Sequence, residues 1–230
     1  MDSIWINAPA KINIGLDVIR RREDGYHEVK MIMQSIRLFD RLTLTKTKEP
    51  GIKLTTNLSY LPVNEDNLVY QSAKRLMDEF HLEGGLDIKL DKRIPVAAGM
   101  AGGSTDAASC MLAINDLYGL GLSKRHLMKR GVKLGADIPY CILKGTALSE
   151  GIGEKLSTIP AMPSCYILIA KPNIHVSTKW VYTNLVLDEH TNHPDIDGML
   201  ASMKKRDLLS LSNQIGECSR NSNNQRISNH

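Results

Sequence analysis

The stretch Ile94-Pro95-Val96-Ala97-Ala98-Gly99-Met100-Ala101-Gly102-Gly103-Ser104-Thr105-Asp106-Ala107-Ala108 decides how this chain is read. Leu86, Ile88 and Leu90 alternate ahead of it as in a strand, and an amphipathic helix pattern follows to about Tyr118. Glycine and alanine let backbone N–H groups approach an anion, and a helix N-terminus adds unsatisfied donors and a favourable dipole. Pro95, Val96, Ala97, Ala98, Gly99, Met100, Ala101, Gly102 and Gly103 are therefore expected to cradle phosphate. Ser104 or Thr105 is expected to hold a phosphate oxygen or Mg²⁺, which prefers oxygen ligands. The competing reading is a plain strand-to-helix turn, and the order strand, loop, helix favours nucleotide chemistry over it. The loop contains no Gly-Lys-Ser/Thr triplet, so it is not a Walker A sequence. Its glycine spacing does not give the Rossmann turn, and no acidic residue ends a strand about 20 residues further on.

The totals narrow the classes. With 230 residues, 42% of them hydrophobic, the chain can bury a core as one large domain or two small ones. A net charge of +4 with scattered basic residues argues against nucleic-acid binding, which concentrates them on one face. Cys110, Cys141, Cys165 and Cys218 lack the short paired spacings of a zinc site or a disulfide framework, so reduced thiols are expected. The N-terminus has neither a basic start nor an apolar run, and no segment is long and apolar enough to span a bilayer. The expectation is a cytoplasmic protein with no membrane partner and an oligomeric state the sequence leaves open.

Ile12, Ile14, Leu16 and Val18 alternate with polar or small residues and predict a strand, with Lys11, Asn13 and Asp17 on its opposite face. The turn Arg21 to Glu28, with Asp24-Gly25 at its tip, feeds a strand-like run from Val29 to Leu38. Tyr26 and His27 can offer a stacking face and hydrogen bonds to a base, or simple packing. Further strands are expected over 41–47 and 52–56, and a helix from about Asn67 to Phe80 capped by Asp66. Ser123 caps a second helix ending near Gly131, and Asp137 sits in a polar turn where a cap or turn former is the ordinary role. Tyr166 to Ala170 reads as a buried strand. Thr178 and Tyr182 lie four apart on a helical segment, and Met199, Leu200, Met203, Leu208 and Leu209 suggest one more amphipathic helix.

The loop from Pro95 to Ala108 resembles the nucleotide loop of the galactokinase, homoserine kinase, mevalonate kinase and phosphomevalonate kinase (GHMP) superfamily, and Ala8-Pro9-Ala10-Lys11-Ile12-Asn13 resembles its N-terminal motif. Asp24-Gly25-Tyr26-His27 resembles a signature of the 4-diphosphocytidyl-2-C-methyl-D-erythritol kinases, where that turn holds the cytosine end of the substrate. The resemblance implies an α+β fold: a ribosomal protein S5 domain 2-like N-terminal domain over 1–155 and an incomplete ferredoxin-like domain over 156–215. It implies ATP and Mg²⁺, a cytidyl diphosphate substrate, Lys11 and the aspartate of Gly135-Ala136-Asp137-Ile138-Pro139 as catalytic residues, and Asn67 as a nucleotide contact. Asn13, Tyr26, His27, Thr178 and Tyr182 are the implied substrate contacts. The alternatives are another small-alcohol acceptor, against which Asp24-Gly25-Tyr26-His27 argues, and a truncated, weakly active or inactive nucleotide-binding homologue.

The resemblance stops at about Leu211. Family members continue into further elements and a Gly-Ser-Gly-Pro-Thr type loop, whereas 216–230 has no apolar period and a composition typical of disorder. One legal encoding of Glu217 to Asn229, read one nucleotide later, gives Asn-Val-Leu-Glu-Thr-Val-Thr-Ile-Lys-Glu-Tyr-Pro, similar to the family's continuation. A frameshift near the codons for Ser212 to Gly216 is therefore expected, and sequencing of the gene tests it.

Overall fold

A computed structural model describes residues 2–171, 178–185, 187–188 and 191–218, without the side chains of Thr178, Lys179 and Glu217. The chain divides into two compact units that are discontinuous in sequence: 1–11 with 36–144, and 12–35 with 145–230. The expectation drew contiguous segments. The difference arises because two long strands, β1 (Ser3–Arg21) and β2 (His27–Thr47), each run through both units.

In the first unit, β4 (Gly85–Asp91) lies between β2, its antiparallel partner, and β3 (Gly51–Thr56), its parallel one. Leu86, Ile88 and Leu90 point inward and are at most 2% exposed, as their alternation predicts. Four helices complete the unit: α1 (Leu68–Glu79), α2 (Gly102–Tyr118), α3 (Lys124–Gly131) and α4 (Ile138–Leu143). α2 packs against α1, α3 and α4 and buries Ala107, Ala108, Met111, Ala113, Ile114 and Leu117. Ser123 caps α3 as expected, accepting from His126 N at 3.3 Å. The cap of α1 is Asn67 rather than Asp66, because Asn67 Oδ1 accepts from Val69 N at 2.9 Å.

In the second unit, β2 pairs antiparallel with β5 (Thr146–Gly151), β5 pairs with β6 (Lys155–Thr158), and β1 pairs in parallel with β7 (Gly216–Glu217). The core gathers Ile14, Ile32, Ile196, Met199, Met203 and Leu211. Gly15 permits this packing, since a β-carbon there would meet Met199 Sδ at 2.5 Å. The single helix expected around 199–209 is two, α6 (Ile196–Lys205) and α7 (Leu208–Gln214). Arg206 in the left-handed region ends the first, and Asp207 caps the second through Ser210 N. Helix α5 (Thr178–Asn184) precedes them.

Two more expectations are corrected. Tyr166 to Ala170 forms no strand and is exposed, Tyr166 and Leu168 almost fully, because no described strand lies alongside to pair with it. Gly216 and Glu217 belong to a strand, while 219–230 lie outside the described residues. No helix among the described residues is long and apolar enough to cross a membrane.

Candidate active site

The glycine-rich loop leaves β4 and is pinned at both ends. Ile94 and Met100 are buried with Ala10, and Lys11 N donates to Met100 O at 3.1 Å. Between them φ changes sign repeatedly, with Ala97 at 53°, Gly99 at 70° and Ala101 at 54°. Such alternation turns successive N–H groups toward one concavity, an anion-binding arrangement. Left-handed alanines cost about 1 to 2 kcal/mol each, so the surrounding packing must hold them. Ala101 occupies the N-cap of α2 and has no side-chain acceptor to offer, and the first intrahelical bond runs from Thr105 N to Ala101 O at 2.8 Å. The N–H groups of Gly102, Gly103 and Ser104 therefore lack intrahelical acceptors at the positive end of a 17-residue helix.

A buried ionic cluster supports this loop. Lys92 Nζ pairs with Asp106 Oδ2 at 2.8 Å and with Asp40, whose other oxygen accepts from the backbone N–H groups of Arg93 and Ile94. Asp40 thus fixes the chain where the loop begins, and Asp106 sits in the first turns of α2. Burial pushes the Asp106 carboxyl up to about 8; Lys92 opposes the shift and the Asp40 charge adds to it. Burial by itself would lower the Lys92 pKa, but the two carboxylates outweigh it and the net shift is upward. Sequence reasoning missed Asp40, Lys92 and the pairing of Asp106.

The charges of Lys11 and Asp137 both act on the Cys141 thiol, and Thr105 in the first turn of α2 lies beside it. Lys11 is only 6% exposed. Asp137 stands at the N-cap of α4 but makes no capping hydrogen bond, so its carboxylate is not committed to the ordinary role of an aspartate there. Burial raises the Cys141 thiol to about 12, with the Asp137 charge adding and Lys11 opposing, so both charges lie within electrostatic reach of that sulfur. The Thr105 hydroxyl also faces it, fully buried and without a conventional hydrogen-bond partner. A β-carbon on Gly135 would stand 3.9 Å from Ser104 Oγ, which brings the Asp137 turn beside the α2 N-terminus.

The Asn67 side chain makes two hydrogen bonds within its own segment. Its Oδ1 caps α1 and its Nδ2 donates to Pro62 O at 2.7 Å, which occupies both ends of the amide. Pro95, Val96 and Gly103 are exposed, and Ala98 is half-buried.

The second unit holds the expected substrate contacts. Arg22 N donates to Tyr26 O at 2.8 Å and Tyr26 N to Asp24 Oδ1 at 3.1 Å, closing the turn around Gly25 at φ 84°. Tyr26 is 60% exposed, and the His27 ring lies 5.3 Å from that of Tyr182, tilted by 39°. Burial, and then the charge of Arg21, lower the His27 pKa, which favours a neutral ring with one donor and one acceptor. His27 borders a cleft of about 410 Å³ shared with Arg20, Arg21, Asp188 and His193, polar residues that no local sequence pattern groups. Asn13 is half-buried on β1. The Thr178 side chain lies outside the described residues.

The family model for the GHMP kinases N terminal domain matches residues 67–145. The chain is 55% identical over 215 residues to a 4-diphosphocytidyl-2-C-methyl-D-erythritol kinase of Lachnoclostridium phytofermentans, covering 94% of this chain and 74% of the relative. It is 51% identical over 216 residues to the enzyme of that name from Lachnospira eligens, covering 94% and 75%. A crystal structure of 4-(cytidine 5'-diphospho)-2C-methyl-D-erythritol kinase superposes with a TM-score of 0.72 at 30% identity, over 92% of this chain and 76% of that one. Homoserine kinase from Cytophaga hutchinsonii, at 19% identity and a TM-score of 0.67, shares the fold. With such identity over nearly its whole length, the chain belongs to the 4-diphosphocytidyl-2-C-methyl-D-erythritol kinase family of GHMP kinases.

Proposed function

We propose that this chain transfers the γ-phosphoryl group of ATP to the 2-hydroxyl of 4-diphosphocytidyl-2-C-methyl-D-erythritol, a step of the non-mevalonate route to isoprenoid precursors. The observation that supports these roles is the Asp137 turn lying beside the start of α2, with the charges of Asp137 and Lys11 both felt at the Cys141 thiol. Phosphoryl transfer requires a positioned hydroxyl, a held triphosphate and compensation of charge on the moving group. The loop N–H groups from Ala97 to Ser104 bind the phosphates. Asp137 orients the acceptor hydroxyl and takes its proton, and the Lys11 cation offsets charge developing on the transferred group.

Mg²⁺, when bound, neutralises charge between nucleotide phosphates and keeps much of its water shell. Ser104, half-buried at the open end of α2, suits such a hydrated ion. Thr105 is fully buried against α4, and its role is packing beside Cys141. His27 and Tyr182 supply a polar edge and a ring face suited to cytosine, with Tyr26 as a second aromatic and Arg20 and Arg21 as cations for the diphosphate. Asn13, two residues beyond Lys11 on β1, contributes a polar contact to the substrate.

Asp137→Asn and Lys11→Ala test the roles. Each is expected to lower turnover by roughly 10² to 10⁴-fold while ATP binding, followed by calorimetry, stays within about threefold. Turnover kept within tenfold in both variants would overturn the assignment.

A further inference from the structure

Asp17, His193 and Cys218 come from three separate segments, and their ligand atoms all lie within 4.8 Å of one another. None is assigned a role in phosphoryl transfer, and His193 alone of the three lines the cleft that holds Arg20, Arg21 and His27. The backbone fixes two of the three positions. β1 and β7 pair with Gly15 opposite Gly216 and Leu16 opposite Glu217, so the register carries Cys218 alongside Asp17. Cys218 N donates to Leu16 O at 2.9 Å, which holds the thiol over the strand. His193 precedes the N-cap of α6, and its Nδ1 lies 2.6 Å from Asp17 Oδ1.

The burial is graded in a way a metal site needs. Cys218 is 1% exposed, the Asp17 side chain 15% and the His193 side chain 44%. The sulfur is shielded while the imidazole side stays open to solvent, which gives an ion a route in. We propose that Asp17, His193 and Cys218, as this chain carries them, form a binding site for a borderline-soft divalent metal, with Zn²⁺ as the ion that fits it.

The donor set selects the metal. A thiolate, an imidazole nitrogen and a carboxylate oxygen suit tetrahedral Zn²⁺, whereas Mg²⁺ and Ca²⁺ take oxygen donors almost alone. Coordination replaces the Asp17–His193 hydrogen bond: the neutral imidazole gives up its Nδ1 proton to solvent and takes one at Nε2, which frees Nδ1 as a ligand, the Cys218 thiol proton goes to solvent, and the ion stands between the three donors. The bound ion ties β1, β7 and the segment before α6 together, cross-linking parts of the chain about 200 residues apart in sequence.

The test uses the full chain carrying Cys165→Ser, freed of metal by chelation. Titration with Co²⁺ is expected to give one equivalent of thiolate-to-cobalt charge-transfer absorption, which Zn²⁺ then displaces. Saturating Zn²⁺ should raise the melting temperature. Cys218→Ser should abolish the charge-transfer band, and His193→Ala should weaken Zn²⁺ binding at least tenfold, since loss of a ligand costs no less than the roughly 10- to 100-fold typical of losing a group that only supports one. The metal-free melting temperature of each variant separates lost ligation from misfolding. A charge-transfer band that survives Cys218→Ser, or no Zn²⁺ binding at tenfold excess over protein, would overturn the proposal.

Discussion

Replacing Lys92 by methionine removes the cation from a cluster whose two carboxylates remain. The Lys92, Asp40 and Asp106 side chains are 3%, 0% and 2% exposed, so water cannot take its place. Methionine keeps much of the lysine volume, and the loss is therefore electrostatic rather than a cavity. Removing one partner of a buried pair costs about 3 to 5 kcal/mol, a large part of the 5 to 15 kcal/mol typical of a folded protein. At about 3 °C per kcal/mol for a chain of this size, the melting temperature should fall by roughly 10 to 15 °C. The proton bookkeeping sharpens the expectation. Burial raises the Asp106 carboxyl from 3.8 to about 8, so the stability its proton provides is complete below 3.8 and lost as pH rises through about 8. Without Lys92 to oppose it that pKa rises further, and Lys92→Met should hurt more near pH 9 than near pH 6. Adding Asp106→Asn removes the surplus carboxylate and should recover most of the loss at the higher pH. Urea unfolding of the wild type, both single variants and the double variant at the two pH values measures each term. A Lys92→Met protein within about 1 kcal/mol of wild type at both, or one that Asp106→Asn fails to rescue, would refute the reasoning.

Two further outcomes follow from burial and capping. Burial raises Cys110 and Cys141 to about 12 and Cys218 is also buried, so a thiol reagent on the native protein at neutral pH should modify Cys165 rapidly and the other three slowly. Cys165→Ser should remove the fast phase, and a fast phase that persists would contradict the packing around α2 and α4. Asn67→Ala should lower stability by about 1 kcal/mol through loss of the α1 cap and leave the KM for ATP within about twofold; a large rise in KM would instead make Asn67 a nucleotide contact.

What the sequence made legible was local. The strand over Leu86 to Leu90, the loop and the helix to Tyr118 could be drawn because alternation, glycine and small residues act within a few positions of one another. The segment around Tyr166 misled for the opposite reason: its continuous apolar run is that of a buried strand, but a strand is defined by a neighbour, and none of the described residues provides one. Arg206 broke the last helix through a left-handed φ that no residue type announces. Lys92 was hidden for a deeper reason. Asp40 and Asp106 are 52 and 14 residues away from it, and neither spacing has a local signature. Their meeting depends on the β2–β4 register, in which Arg41 stands opposite Asp91, so that continuing one step brings Asp40 opposite Lys92. A one-residue slip would turn the Lys92 side chain to the other face and leave Asp40 buried without its cation. The same carboxylate also holds the N–H groups of Arg93 and Ile94, so the slip would release the beginning of the phosphate loop as well. The buried cluster therefore ties the pairing of two strands to the geometry of the loop, and a penalty of about 3 to 5 kcal/mol for an unpaired buried charge is large enough to make that register the one the sheet adopts.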